Sequence, residues 1–224
     1  MDYSKQIEKI KQSVALVLKF TGEKDASGQE IYYSASGFVF KEKGTLITCN
    51  HAVIGSTRMQ IKFPDSPNPI DAVILKQDAS HDFAILKFSD DSRIPLNMAD
   101  VSKVKEGVPV FFCGYPINLN IFTSHQGIIS AIAPDPLGNR WYLVDGPSNH
   151  GNSGGPLFDK KGDVVGIMQA KHFNDNDSFL KSISNLQEGA LSLYGNDLVK
   201  IYKRLITNIQ LGIGQAVPIE YITI

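Results

Sequence analysis

The segment Gly151-Asn152-Ser153-Gly154-Gly155-Pro156 sets one hydroxyl group among glycines and ahead of a proline. Glycine allows a positive φ and the close approach of another backbone, whereas proline fixes φ and lacks an N–H. A serine in such a loop could point its Oγ outward and turn its own N–H toward the same place, as a nucleophile beside an oxyanion site requires. The alternative is a glycine-rich turn between two strands, and the segment alone does not decide between them.

A serine hydroxyl needs a base to take its proton, and histidine does this best near neutral pH, commonly with a carboxylate that fixes its tautomer. Among five histidines, His51 directly follows the strand-like run 46–50, where a strand enters a turn. Asp82 opens the strand-like run 83–86, so we expect its side chain at the rim of a sheet. The order His51, Asp82, Ser153 is that of the chymotrypsin-type triad and differs from the order in subtilisin or the α/β-hydrolases.

The composition narrows the classes of partner. Lys and Arg total 22 against 23 Asp and Glu, and no long basic block occurs, so we expect neither nucleic acid nor an anionic membrane surface as a partner. No apolar run approaches the roughly 18 residues of a membrane span.

Charges recur through residues 1–11, unlike a secretory signal. Cys49 and Cys113 lie in apolar contexts and are interpreted as buried thiols in a reducing compartment, which predicts the cytoplasm.

The elements that would position these residues are short strands with turn signals every 8–15 residues, a pattern typical of sandwiches or barrels. The predicted strands are 14–19, 31–40, 45–49, 58–63, 70–75 and 83–88, then 108–113, 127–133, 140–144, 156–158, 164–170 and 190–194. They form two groups of six, residues 13–88 and 107–194, joined by a polar linker at 89–106. His51 and Asp82 would come from one group and Ser153 from the other, so a cleft between the groups is where they could meet.

The two ends of the chain read differently from the middle. Residues 1–12 carry two isoleucines among charges and predict a short amphipathic helix or arm. Residues 195–224 predict a helix capped by Asn196, with apolar positions at helical spacing, that packs on the second group of strands. The tail that follows, residues 215–224, is expected to add an edge strand.

Four segments resemble trypsin-like serine proteases of the HtrA/Deg branch: Ser36–Phe40, Thr48–Val53, Asp82–Leu86 and Gly151–Phe158. The spacings of 31 residues between the first two triad positions and 71 between the last two are similar to that compact branch. The resemblance covers roughly residues 13–210. It implies an all-β, chymotrypsin-like double six-stranded β-barrel with a short N-terminal helix and a C-terminal helix. It further implies a serine endopeptidase that needs no metal or cofactor, acts on a polypeptide substrate, and could have a homo-oligomeric or regulatory protein partner.

The resemblance also implies a role for each matching residue. Ser153 would be the nucleophile, His51 the general base and Asp82 its orienter. The N–H groups of Gly151 and Ser153 would form an oxyanion hole with Asn152 between them. Digestive relatives carry an aspartate at the position of Asn152 that pairs with a newly cut N-terminus, so activation by cleavage is not expected here. The peptide-binding domain that usually follows in the HtrA/Deg branch has no counterpart in this sequence, and we expect a peptidase without it.

Specificity should come from the segment before Ser153 and from the strand 164–170. Pro147 stands where trypsin carries the aspartate that selects basic side chains, and Met168 where proteases that prefer glutamate or glutamine often carry a histidine. A pocket with these two residues would favour small or medium apolar side chains. The predicted substrate contacts are Pro147, His150, Met168, Gln169 and Ala170.

Two other functions stay open at this level. One is a non-catalytic peptide-binding or chaperone-like module on the same scaffold, and the other is a latent effector protease that a partner activates. The sequence does not contain the backbone geometry of the oxyanion hole, on which the first alternative depends. The remaining histidines, His81, His125 and His172, are predicted to be surface or structural residues.

Overall fold

The computed structural model describes residues 2–116, 119–134, 138–171, 182–183, 185–208 and 212–222. The chain divides into two compact units, one of residues 1–171 with 212–224 and one of residues 172–211. The first unit opens with helix α1 (Ser4–Ile10) and contains both β-barrels. No helix among the described residues has the length and apolar character needed to cross a membrane.

The first barrel forms from six strands whose inward side chains are apolar. They are β1 (Val14–Lys24), β2 (Glu30–Val39), β3 (Thr45–Cys49), β4 (Arg58–Lys62), β5 (Ile70–Asp78) and β6 (Phe83–Phe88). Neighbours are antiparallel in the closed order β1-β2-β3-β6-β5-β4. The pairing of β3 with β6 matters most for function, because it brings the end of one strand beside the start of the other.

The later strands supply the second barrel and a small hairpin. They are β7 (Pro109–Gly114), β8 (Thr123–Pro134), β9 (Arg140–Asp145), β10 (Pro156–Phe158), β11 (Val164–Lys171), β12 (Ser192–Leu193), β13 (Asn196–Asp197) and β14 (Ile213–Pro218). The barrel closes in the order β10-β11-β14-β9-β8-β7. The predicted arrangement of two six-stranded barrels is confirmed.

The sixth strand of the second barrel differs from the prediction. Residues 190–194 supply only β12, which pairs with β13 in the smaller unit. The barrel closes instead with β14, which pairs with β11 on one side and β9 on the other, so the expected edge strand is an interior one. Its apolar pattern is weak because it contains Gly214 and ends at Pro218. Pairing with the two neighbouring strands stabilises β14 as a strand, and the strand propensity of its own residues does not.

The smaller unit contains helix α2 (Leu198–Asn208). The predicted cap at Asn196 is wrong, because that residue lies in β13. Asp197 caps the helix instead, since its Oδ1 accepts a hydrogen bond of 3.1 Å from the N–H of Lys200. A carboxylate at this end is also favoured by the helix dipole. The packing of α2 on the second barrel stays a prediction.

The apolar core has two parts. One cluster fills the first barrel and continues across the barrel interface through Phe111, Phe158 and Ile167, and a smaller cluster fills the second barrel around Phe112 and Tyr142. The barrels therefore share buried surface. At roughly 25 cal/mol per Å² of apolar area, this shared core stabilises one fixed orientation of the two barrels, on which a site built from both depends.

Candidate active site

His51 and Asp82 meet because of the register between β3 and β6. Cys49, the last residue of β3, lies opposite Phe83, the first residue of β6. The next residues outward continue the approach: Asp82 Oδ2 lies 2.8 Å from His51 Nδ1, and Asp82 Oδ1 accepts the backbone N–H of His51 at 2.9 Å. Asp82 adopts a positive φ of 50° at this position. One carboxylate therefore fixes both the backbone and the ring of the histidine.

Gln169 makes a third hydrogen bond to this carboxylate. Its Nε2 lies 3.2 Å from Asp82 Oδ2. The sequence predicts Gln169 as a substrate contact, and the structure places its side-chain amide against Asp82, while its backbone carbonyl faces Ser153. The sequence offered one signal for the contact with Asp82: Gln169 is a polar residue in a largely apolar strand, β11.

Ser153 is only 9% exposed. Its hydroxyl donates to the backbone carbonyl of Gln169, and within the described part of the chain no hydrogen bond joins it to His51. The structure thus brings His51 and Asp82 into direct contact and holds the serine hydroxyl on a different acceptor.

The loop around Ser153 is braced by Ser36 from the first barrel. The Ser36 hydroxyl donates to the Gly151 carbonyl at 2.6 Å and accepts the N–H of Tyr115 at 2.9 Å, while its own N–H donates to the Ser153 carbonyl at 2.8 Å. Thr48 donates to the Ser36 carbonyl at 2.7 Å. Sequence reasoning missed this role of Ser36 and Thr48, although two hydroxyl residues inside apolar strands were a usable signal.

The turn formed by residues 149–152 sets the direction of the backbone N–H groups around Ser153. The N–H of Asn152 donates to the Asn149 carbonyl at 3.0 Å, and Gly151, the third residue of the turn, has a φ of 95° while His150 has no positive φ. A positive φ at the third position only is the type II pattern, which differs from type I by a flip of the central peptide. Among the described residues, the N–H groups of Gly151 and Ser153 have no acceptor.

The side chain of Asn152 is completely buried beneath this turn. Its Oδ1 lies 2.9 Å from the position that a Cβ on Gly114 would occupy, so the amide fits only because Gly114 has no side chain. Neither amide atom has a hydrogen-bond partner within the described residues. A neutral amide costs far less to bury in such surroundings than the unpaired carboxylate of an aspartate would.

A small buried cluster lies beside the Ser153 loop. Met168 and Ser148 are buried, and a Cβ added to Gly214 would lie 2.8 Å from Met168 Cε and 2.9 Å from Ser148 Cβ. Pro147 and His150, by contrast, are exposed, and the side chain of Ala170 lies outside the described residues. Sequence reasoning missed Ser148 and Gly214, the latter because its strand was not assigned to the barrel.

Cys49 lies behind the pair formed by His51 and Asp82. It is fully buried, and its Sγ donates to the Met168 carbonyl at 3.3 Å. Burial, together with the nearby Asp82 carboxylate, raises the pKa of this thiol well above its usual value. The thiol is therefore neutral at physiological pH.

Two other histidines belong to structural networks. His81 Nδ1 lies 3.0 Å from Asp78 Oδ2, and its ring stacks on Tyr221 with centroids 4.7 Å apart. His125 stacks on Phe112 at 5.0 Å, and burial lowers its pKa. His172 lies outside the described residues. The first pair resembles that of His51 and Asp82 in geometry, but the serine beside it, Ser80, belongs to the same turn and contacts His81 at Nδ1, at 3.0 Å.

Comparison with known proteins places this geometry in a family. The family described as trypsin-like peptidase domain matches residues 35–167. Probable periplasmic DegP-like serine endoproteases are 35% identical over 143 residues in Hahella chejuensis and 38% identical over 140 residues in Rhizobium meliloti. These matches cover 62% and 60% of this chain but only 30% and 27% of the relatives. The chain therefore spans less than a third of the length of either relative.

Solved structures agree on the fold. The HtrA-type protease AlgW, solved with a tripeptide, superposes with a TM-score of 0.73 at 22% identity, covering 98% of this chain and 60% of AlgW. At this level of identity the likeness concerns the fold, and it confirms the predicted chymotrypsin-like double barrel.

The prediction of a cytoplasmic compartment is wrong. The DegP-like relatives are named periplasmic endoproteases. The argument from Cys49 and Cys113 fails for a physical reason: both thiols are buried, and a buried thiol is protected from oxidants in an oxidising compartment as well as in a reducing one.

The match over residues 35–167 covers more than half of the chain, and it includes most of the strands of both barrels and the pair formed by His51 and Asp82. The resemblance to the HtrA/Deg branch predicted from the sequence is confirmed by the DegP-like relatives. The chain belongs to the family of trypsin-like peptidase domains.

Proposed function

We propose that this chain is a serine endopeptidase of the HtrA/DegP type, and that it hydrolyses polypeptides through an acyl-enzyme at Ser153. The observation that carries the proposal is the double hold of Asp82 on the ring and backbone of His51, at 2.8 and 2.9 Å. Because the DegP-like relatives are named periplasmic, we propose the periplasm as its compartment.

The chemistry follows from the tautomer of His51. With its Nδ1–H donated to Asp82, the imidazole presents an unprotonated Nε2 as the base. Nε2 takes the Ser153 proton as Oγ attacks the substrate carbonyl, and the protonated imidazole then gives that proton to the leaving amine. A water molecule repeats the same steps in the second half of the reaction and releases the acid. The negative oxygen formed in each half accepts hydrogen bonds from the N–H groups of Gly151 and Ser153.

Substrate binding supplies the rotation that Ser153 needs. Strand β11 pairs with β14 along one edge, and its pairing with β10 ends at Ile167. An extended peptide added beyond that point would donate an N–H to the Gln169 carbonyl, as strand addition commonly does. That bond would compete with the Ser153 hydroxyl for the same acceptor and release it toward His51.

Covalent labelling by a fluorophosphonate probe tests the proposed nucleophile. Wild-type protein is expected to label with one probe per chain, and Ser153→Ala is expected to label not at all, as read by intact-protein mass spectrometry. Ser130→Ala is a matched control at an exposed serine and should label fully. Labelling that persists in Ser153→Ala would overturn the assignment of the nucleophile.

One observation favours a second candidate, a latent protease. The Ser153 hydroxyl bonds to the Gln169 carbonyl and not to His51. A chain held in that state would label slowly alone and faster when a peptide or partner occupies β11. A labelling rate that is high and unchanged by added peptides would rule out latency without touching the assignment of Ser153.

We infer that the buried cluster of Met168, Ser148 and Gly214 forms the floor of the specificity pocket, which predicts a preference for small side chains on the acyl side of the cleaved bond. The Met168 methyl group lies 2.8 Å from the position of a Cβ on Gly214, so it would limit the depth of that pocket. Met168→Ala is expected to raise kcat/KM for leucine relative to alanine at that position by about 10–200-fold, the usual effect of a few methylene groups in a pocket. Met59→Ala, a buried methionine of the first barrel, is the control and should leave the ratio unchanged. An unchanged ratio in both variants would contradict the pocket assignment.

A further inference from the structure

The peptidase chemistry leaves one nucleophilic group beside the site without a use, the thiol of Cys49. Its Sγ, a ring nitrogen of His51 and a carboxylate oxygen of Asp82 all lie within 4.8 Å of one another. Among the residues that the structure describes, this is the only group of three or more such donors close enough to share a metal ion.

We propose that Cys49, His51 and Asp82 form a binding site for a thiophilic divalent cation of the Zn²⁺ class, and that its occupation switches the peptidase off. The part of this proposal that concerns inhibition rests on the proposed function, whereas the part that concerns metal binding does not. One thiolate, one imidazole and one carboxylate form a donor set that suits zinc and suits magnesium or calcium poorly.

The distances require only small movements. Zinc lies about 2.3 Å from sulfur and about 2.0–2.2 Å from nitrogen and oxygen, so donors around it stand roughly 3–4 Å apart. The present separation of His51 Nδ1 and Asp82 Oδ2 is 2.8 Å, and an opening of about 0.5 Å would admit the ion between them. The sulfur lies within 4.8 Å of both donor atoms, so it must approach by roughly 1 Å to reach the donor separation around zinc.

Two of the three ligand residues are partly exposed and the third is buried. The His51 side chain is 47% exposed and that of Asp82 is 24% exposed, while Cys49 closes the inner side. An ion entering past His51 would therefore have three protein ligands and a fourth position that faces solvent, which a water molecule can fill.

Binding would alter the proton balance of the catalytic pair. The Cys49 thiol loses its proton to solvent as the sulfur bonds the metal, and the His51 proton moves from Nδ1 to Nε2 because Nδ1 now binds the ion. An imidazole that carries its proton on Nε2 has no lone pair there to accept the Ser153 proton. Occupation of the site therefore abolishes general-base catalysis without any change in the fold.

Cobalt binding to the Ser153→Ala protein tests the site independently of any activity. Co²⁺ in place of zinc is expected to give a sulfur-to-cobalt charge-transfer band and the visible bands of a tetrahedral site. Cys49→Ser should remove the charge-transfer band and weaken Zn²⁺ binding, measured by calorimetry, by at least about tenfold. Cys113→Ser, the other buried free thiol, should change neither. Absence of the band in the parent protein, or its persistence in Cys49→Ser, would overturn the proposal.

A second experiment, which measures peptidase activity, tests whether the bound metal inhibits the enzyme. Zn²⁺ should inhibit the wild-type peptidase, and Cys49→Ser should need at least about ten times more Zn²⁺ for the same inhibition. Circular dichroism on each variant separates loss of a ligand from loss of the fold, and Cys49→Ala serves as a second variant if the serine variant fails to fold. A cobalt site in a chain without peptidase activity would contradict the proposed function and leave the metal site standing, so the two failures are distinguishable.

Discussion

Asp82→Asn is expected to lower kcat about 10⁴-fold, the typical loss when an orienting carboxylate becomes an amide. The asparagine would present an N–H toward His51 Nδ1 in place of an acceptor, so the ring would turn to the tautomer with its proton on Nε2. That tautomer cannot accept the Ser153 proton. KM should change little, because Asp82 lies behind the histidine. Steady-state kinetics on a peptide substrate measures both constants.

The chain supplies its own control for this substitution. Asp78 contacts His81 much as Asp82 contacts His51, with a 3.0 Å ring contact and a 3.0 Å bond from the backbone N–H. Asp78→Asn alters a similar pair that, among the described residues, makes no hydrogen bond to the Ser153 loop. It should leave kcat within about twofold, because it lies outside the reacting atoms. Equal losses in the two variants would mean that the carboxylates act through stability and that Asp82 has no special role.

Gly154→Ala is expected to destabilise the protein by more than about 4 kcal/mol, among the largest effects of single substitutions. Gly154 has a φ of 85°, and an added Cβ would lie 2.1 Å from the Ser36 carbonyl oxygen and 2.3 Å from Thr48 Oγ1. Both atoms belong to the first barrel, so relief of the clash requires the Ser153 loop to leave its place against β2 and β3. Chemical denaturation followed by circular dichroism measures the change.

Gly28→Ala separates the cost of backbone conformation from the cost of the clash. Gly28 has the same φ of 85°, and an added Cβ would have nothing within 4 Å. Its substitution should cost about 1–2 kcal/mol, the usual penalty for a left-handed conformation. If the two variants lost equal stability, the contact between Gly154 and the first barrel would not be the cause.

The sequence predicted the first barrel almost completely, because its strands alternate between apolar and polar residues and are separated by clear turn signals. It failed at β14, whose Gly214 and Pro218 weaken that alternation. Strand formation there depends on the two neighbouring strands β9 and β11, which come from distant parts of the chain. Local pattern carries no information about such neighbours, and this is why residues 190–194 were assigned in its place.

For the candidate site, the sequence indicated which residue types take part, but it did not indicate which atoms accept their hydrogen bonds. The order of His51, Asp82 and Ser153 gave the type of chemistry, yet it did not indicate that the serine hydroxyl bonds to the Gln169 carbonyl. The hold of Ser36 on Gly151 was equally hidden. Both contacts involve backbone carbonyls, which every residue has, so no residue type marks them.

The place of β14 in the second barrel has a consequence for the order in which the parts of the candidate site are made. Its Gly214 packs against Met168 and Ser148, and its pairing supports β11, the strand that contains Gln169. Translation proceeds from the N-terminus at about 5–20 residues per second, so Ser153, His51 and Asp82 all leave the ribosome seconds before this strand does. A nascent chain therefore has His51, Asp82 and Ser153 before the second barrel can close. The position of Gln169 beside Ser153 depends on this last strand, because β14 pairs with β11.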